Sequence, residues 1–178
     1  VHVLNTPPGY LNPHRRLAPD EGLIVLLHQD LAQEIISLLL NPTARVVTVN
    51  SYFSPRSSVL PDYRGAMKAL LEEALSRGAK RVMYCSGYGL FPCPIIASER
   101  ESAFQEYTER YKLAAMIENS GNYHLAAKAV TQFQPDTILY QNDSYALHFR
   151  NNYLTRCGIP VRVLGCDNYS EDPGLSTL

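Results

Sequence analysis

Short apolar runs alternate along this chain with stretches in which apolar residues recur every three or four positions. Residues 22–27 (Gly-Leu-Ile-Val-Leu-Leu), 45–49, 81–85, 137–141 and 160–165 are compact runs rich in apolar residues, bounded by polar or turn residues. Runs of this length suit strands buried on both faces of a parallel sheet. Residues 1–5 form a shorter strand candidate. Between these runs the period changes to that of a helix. Leu31, Ile35, Leu38 and Leu39 share one helical face, and Asn41-Pro42 stops it. Asp62 caps a helix whose stripe is Ala66, Leu70, Leu71, Ala74 and Leu75, ending at Gly78. Ser98 and Glu101 have capping-box spacing, opening a helix with Phe104, Tyr107, Tyr111 and Ala114 on one side. Residues 123–133 form a further helix. Asp143 caps another, carrying Ala146, Leu147, Arg150, Tyr153 and Leu154 and closed by Gly158.

Strand and helix alternate throughout, which defines an α/β class with parallel sheets. The stretches 6–20 and 86–96, rich in turn residues, read as loops. The connector 52–60 contains proline and serine and ends near Pro61. It marks a boundary between an N-terminal unit, residues 1–61, and a C-terminal unit, residues 62–178.

Charge removes one class of function. Sixteen Lys and Arg stand against seventeen Asp and Glu, so the chain has no bulk electrostatic reason to bind nucleic acid by itself. No apolar run approaches the ~18 residues of a membrane span, and no signal peptide is visible. Cys85, Cys93, Cys157 and Cys166 fall at no metal or disulfide-framework spacing. Cys85 and Cys166 end strand-like runs and read as buried free thiols, which fits a reducing compartment, the cytoplasm. The five histidines are scattered. Gly87-Tyr88-Gly89 lacks the rest of a phosphate-binding fingerprint. No nucleophile has a base at a known spacing. The expectation is a protein that is not an enzyme and uses no cofactor or metal.

Candidate chemistry lies at the strand ends. Asn50 follows the run 45–49, Asn142-Asp143 follows 137–141, and Asp167 follows 160–165. Arg100 sits in the first turn of its expected helix, where its charge opposes the macrodipole. Each has a structural reading as well: a turn for Asn50 and Asn142, a cap for Asp143, an Asx-turn for Asp167, and a solvated cluster with Glu99 and Glu101 for Arg100. The functional reading takes Arg100, Asn142, Asp167 and Asn50 together. In open α/β sheets, ligands bind outside the carboxyl ends of the strands. An amide, a carboxylate and a guanidinium converging there suit a polyhydroxylated small molecule.

Read in order, several stretches resemble the effector-binding domain of the lac repressor/galactose repressor family of bacterial transcription regulators. They are Asp20-Glu21-Gly22-Leu23-Ile24-Val25-Leu26, Pro61-Asp62-Tyr63-Arg64-Gly65, Ser98-Glu99-Arg100-Glu101-Ser102-Ala103-Phe104, Asn142-Asp143-Ser144-Tyr145-Ala146-Leu147 and Val163-Leu164-Gly165-Cys166-Asp167-Asn168. The closing Pro173-Gly174-Leu175-Ser176-Thr177 belongs to the same series. Their order and spacing carry the likeness, over about residues 20–178.

The resemblance implies a type I periplasmic-binding-protein-like fold: two parallel-sheet α/β subdomains with a ligand cleft between them. It places Arg100, Asn142 and Asp167 at effector-contacting positions, and Asn50 where many members carry aspartate. It implies a small polar effector, most simply a sugar, and a homodimer or tetramer. Operator DNA would be bound through a helix-turn-helix absent from this chain, with cleft closure coupled to operator affinity. The first strand–helix unit and the closing return segment of the pattern are also not seen, so the chain reads as a fragment with an incomplete N-terminal subdomain. The family's stacking tryptophan has no counterpart, and Tyr52, Phe53, Tyr88 and Phe91 are the aromatic candidates for that wall. Two other classes compete. A periplasmic solute-binding protein of a transport system would carry a signal peptide in place of the helix-turn-helix. A small flavodoxin-like enzyme would show bound flavin or turnover.

Overall fold

A computed structural model describes residues 2–4, 22–26, 45–49, 56–86, 94–165 and 176–177. Asn50, Asp167, Tyr52, Phe53, Tyr88, Phe91 and the helix expected over 30–40 lie outside the described residues. The chain divides into two compact units, Val1–Pro61 and Asp62–Leu178.

The first unit holds a four-stranded parallel sheet in sequential order: β1 (His2–Leu4), β2 (Gly22–Leu26), β3 (Arg45–Val49) and β4 (Ser57–Val59). Leu23 and Val46 pair in register and are both buried. Thr48, fully buried, shares a 2.7 Å hydroxyl hydrogen bond with Ser58 across β3 and β4. The connector expected over 52–60 therefore contains a strand. Three residues with two serines give too short a pattern to read as one from sequence.

The second unit is a five-stranded parallel sheet. Its strands are β5 (Arg81–Cys85), β6 (Ala114–Glu118), β7 (Thr137–Tyr140), β8 (Arg162–Gly165) and β9 (Ser176–Thr177), in the order β6-β5-β7-β8-β9. The helices are α1 (Tyr63–Ser76), α2 (Pro94–Arg110), α3 (Tyr123–Phe133) and α4 (Asp143–Phe149). The last continues through one π turn, Arg150–Leu154, into α5 (Thr155–Cys157). After β5 the chain steps to one side through α2 to lay down β6, then returns over β5 through α3 to lay down β7. Right-handed crossovers in opposite directions put α2 and α3 on opposite faces.

The pleat divides the core accordingly. Val82, Tyr84, Leu139 and Leu164 pack with Met67, Leu70, Leu71 and Ala74 of α1 and Ala103 and Phe104 of α2. Met83, Cys85, Ile138, Tyr140 and Val163 pack with Ala126, Ala129 and Val130 of α3 and Ala146 and Phe149 of α4. Each fully buried Leu or Phe contributes roughly 1.5–3 kcal/mol. At the amino ends, Asp136 accepts from the backbone N–H groups of Lys80 and Arg81 at 2.8 and 2.9 Å, tying the start of β5 to the start of β7.

Three local expectations change. α2 begins at Pro94, so Ser98 lies inside the helix and its capping box with Glu101 does not form. Proline at a first helical position suits the helix, because its missing N–H would have had no intrahelical partner. The helix ends at Arg110, and Ala114 opens β6; Lys112 takes a left-handed φ of 55° at the break. Asn142, extended at φ −150° and ψ 161°, caps α4, and Asp143 lies inside the helix, fully buried.

Candidate functional site

The strand order reverses between β5 and β7, and in open α/β sheets ligands bind outside the carboxyl ends of the strands at such a switch point. Cys85 pairs with Tyr140 at the last step of the β5–β7 register, so Ser86 and Gln141 follow side by side. The Ser86 N–H donates to the Glu118 carbonyl at 3.0 Å, holding the end of β5 against β6.

Arg100 reaches this place from α2. Its guanidinium carbon lies 4.5 Å from the centre of the Tyr63 ring, and Nη1 donates to the Gln141 carbonyl at 3.4 Å. The ring face and the carbonyl fix a half-buried cation beside the carboxyl end of β7. Of the four residues singled out by sequence, Arg100 and Asn142 are thus brought together in one unit. Asn142 spends its carbonyl oxygen on the cap, accepting from the Tyr145 N–H at 2.9 Å. Its amide nitrogen is not used in the cap. Asn142→Ala is expected to cost about 1 kcal/mol of stability in urea denaturation, the usual value of an N-cap, and Asn142→Asp to restore most of it.

Sequence reasoning missed the other side of the site. Asn122 caps α3 as Asn142 caps α4, accepting from His124 and Leu125 N–H groups at 2.9 and 3.3 Å. Tyr123 follows it, and its ring meets those of Tyr145, His148, Phe149 and Tyr153 at 4.8–6.5 Å. Burial, then the neighbouring Tyr145 and Tyr153, push the Tyr123 hydroxyl pKa up. A cavity of about 20 Å³ lies between the sheet end and the helix starts, with Cys85, Tyr140, Gln141, Asn122, Tyr123 and Tyr145 among its lining. Tyr123 and Tyr145 therefore supply an aromatic wall here. The signal was an asparagine after each strand with an aromatic one or three residues on.

Cys85 and Tyr140 stand in register on β5 and β7 and both line this wall. Burial raises the Cys85 thiol to about 12 against the opposing effect of Tyr140, and burial raises the Tyr140 hydroxyl also. A thiol that keeps its proton is a poor nucleophile. Iodoacetamide at about pH 8 should leave Cys85 unlabelled in the native protein while labelling it in denaturant, as peptide mass spectrometry would read. Labelling at equal rates in both states would contradict this burial. Among the described residues no three metal-ligating side chains cluster, and no helix is long and apolar enough to cross a membrane.

The described residues define a parallel α/β unit whose strand order reverses between β5 and β7. Solved structures with the same architecture include a LacI family transcriptional regulator from Mycobacterium smegmatis (17% identity, TM-score 0.66, 88% of this chain and 63% of that one). A LacI family transcriptional regulator from Lactobacillus casei with bound glucose matches at 19% identity and TM-score 0.61, over 88% and 64%. The lac repressor dimer bound to operator and an anti-inducer matches at 19% identity and TM-score 0.64, over 88% and 59%. The chain thus has the fold of LacI-family transcriptional regulators, and it spans less than two thirds of the length of these relatives. No family model matches the chain, and no curated protein does.

Proposed function

We propose that this chain is the effector-binding and oligomerisation part of a bacterial transcriptional regulator of the lac repressor/galactose repressor family, sensing a small polar metabolite, with sugars as the favoured class. The observation that carries this is Arg100, held by the Tyr63 ring and the Gln141 carbonyl beside the capping Asn142 at the switch point. A guanidinium fork and the amide nitrogen that the Asn142 cap does not use suit vicinal hydroxyls or a ring oxygen. Asp167, two residues beyond the end of β8, and Asn50, next after the end of β3, complete the proposed contact set. The bound glucose of the Lactobacillus casei regulator and the operator-bound lac repressor dimer support a sugar effector, a homodimer or tetramer, and operator DNA as the partner of the whole regulator. Such a regulator works in the cytoplasm, and effector binding alters operator affinity through the differential affinity of two states.

A thermal-shift screen against sugars, sugar phosphates, nucleosides and purines tests the reading. A ligand at a hundred times its Kd stabilises the native state by about 2.7 kcal/mol. The expected result is stabilisation by one sugar class, with the same sugar shifting operator binding by the whole regulator. A well-folded protein stabilised by none of the panel would count against the reading.

A further inference from the structure

At the carboxyl end of β5, Ser86 is 1% exposed, and at the carboxyl end of β7, Gln141 is 4% exposed. The Ser86 hydroxyl and the Gln141 amide nitrogen have no hydrogen-bond partner among the described residues. They occupy adjacent strands, one step beyond the Cys85–Tyr140 pair, where the strand order reverses. Buried polar groups are almost always satisfied, and an unmet one in a native protein calls for a specific explanation. Two side by side at a switch point call for a shared partner.

The chemistry of the two groups limits what that partner is. An amide N–H donates only, whereas a serine hydroxyl donates and accepts. A hydroxyl group satisfies both, because it accepts from the amide and exchanges a hydrogen bond with the serine. A carboxylate or phosphate would give up its hydration to two neutral groups that carry no charge to offset that cost.

The geometry points to Ser86 and Gln141 as a specificity pair that receives a single hydroxyl, or a terminal hydroxymethyl, of the effector and selects against its deoxy analogue. The inference rests on the sugar-sensing reading and adds which side chains choose among sugars. Arg100 and Asn142 hold the ligand. Ser86 and Gln141 inspect one position of it. Sites built to hydrogen-bond a substrate hydroxyl reject the analogue lacking it strongly, because their buried polar groups are left unpaired.

The test is calorimetric titration of the chain with D-glucose, D-galactose and D-ribose and with the monodeoxy analogues of each. For the sugar that binds, one monodeoxy analogue should be weaker by about ten- to a hundredfold. In Gln141→Leu that difference should fall to about threefold or less, because the group that read the hydroxyl is gone. The unliganded melting temperature of Gln141→Leu should equal or exceed that of wild type, since an unpaired buried amide has been removed. Ser86→Ala should collapse the same analogue's penalty and serves if the leucine variant does not fold. Wild-type discrimination retained in both variants would overturn the inference and leave the pair holding a buried water only. If a sugar binds, Arg100→Ala weakens it by about a hundredfold and Gln141→Leu changes nothing, only this inference falls. If none of the sugars binds the wild-type chain, the sugar-sensing reading falls and takes this inference with it.

Discussion

Arg100→Ala is expected to weaken effector binding by about a hundredfold while the fold survives. A charge-assisted hydrogen bond to a bound ligand is worth about 1.5–3 kcal/mol, and a fork making two of them reaches the upper end. The cost to folding should be smaller. The contact with the Tyr63 ring and the 3.4 Å bond to the Gln141 carbonyl are both half-exposed, so about 1 kcal/mol is the scale. Arg100→Lys should recover the charge but not the fork, and therefore little of the affinity. Calorimetry with the sugar that stabilises the wild type reads the first effect, and urea denaturation the second. Unchanged affinity in Arg100→Ala would remove the guanidinium from the site.

Gly165→Ala should be the most destabilising conservative change in the second unit, at about 3 kcal/mol. A methyl group at Gly165 would stand 2.0 Å from Asp143 Oδ1, 2.9 Å from its carboxyl carbon and 3.2 Å from its Cα. The carboxylate has nowhere to go, because Asp143 is fully buried in the first turn of α4. Overpacking of this kind usually costs about 1–3 kcal/mol, and a backbone neighbour keeps the cost at the upper end. Relief requires α4 to move away from β8. That would shift Asn142 and, through Gln141, the anchor of Arg100, so ligand affinity should fall together with stability. In Gly165→Ala/Asp143→Ala the two costs should not add, since one substitution removes the group the other strikes. A loss under about 0.5 kcal/mol for Gly165→Ala alone would show that the two elements are not pressed together.

The strands of the second sheet were largely legible because parallel strands buried on both faces are apolar without interruption, as in Arg81–Cys85 and Thr137–Tyr140. β6 was not. Ala114–Glu118 has no β-branched residue except Ile117, lies at the sheet edge, and continues the apolar spacing of Tyr107 and Tyr111. Only the left-handed Lys112 and the ladder offered by β5 turn it into a strand. Asn142 and Asp143 show another limit. Either residue caps a helix well, so composition cannot order them. Tertiary packing decides, because the space against Gly165 takes the side chain of Asp143. Arg100 and Asn142 were legible as polar residues around a strand end. Ser86 and Gln141 were not, because an unmet hydrogen bond is a property of the folded surroundings and leaves no mark in residue type.

The π turn at Arg150–Leu154 gives this fold a kind of slack. Its i→i+5 bonding accommodates one residue more than an α-helix needs over the same advance. The surplus lies after the capping Asn142 and before Gly158, whose left-handed φ of 63° ends the helical stretch. A sequence one residue shorter there could close the bulge, keep its helical bonding unbroken and leave β8 in register with β7. Length variation is usually confined to loops. Here a helix interior can absorb it, well away from the strand ends that carry the chemistry.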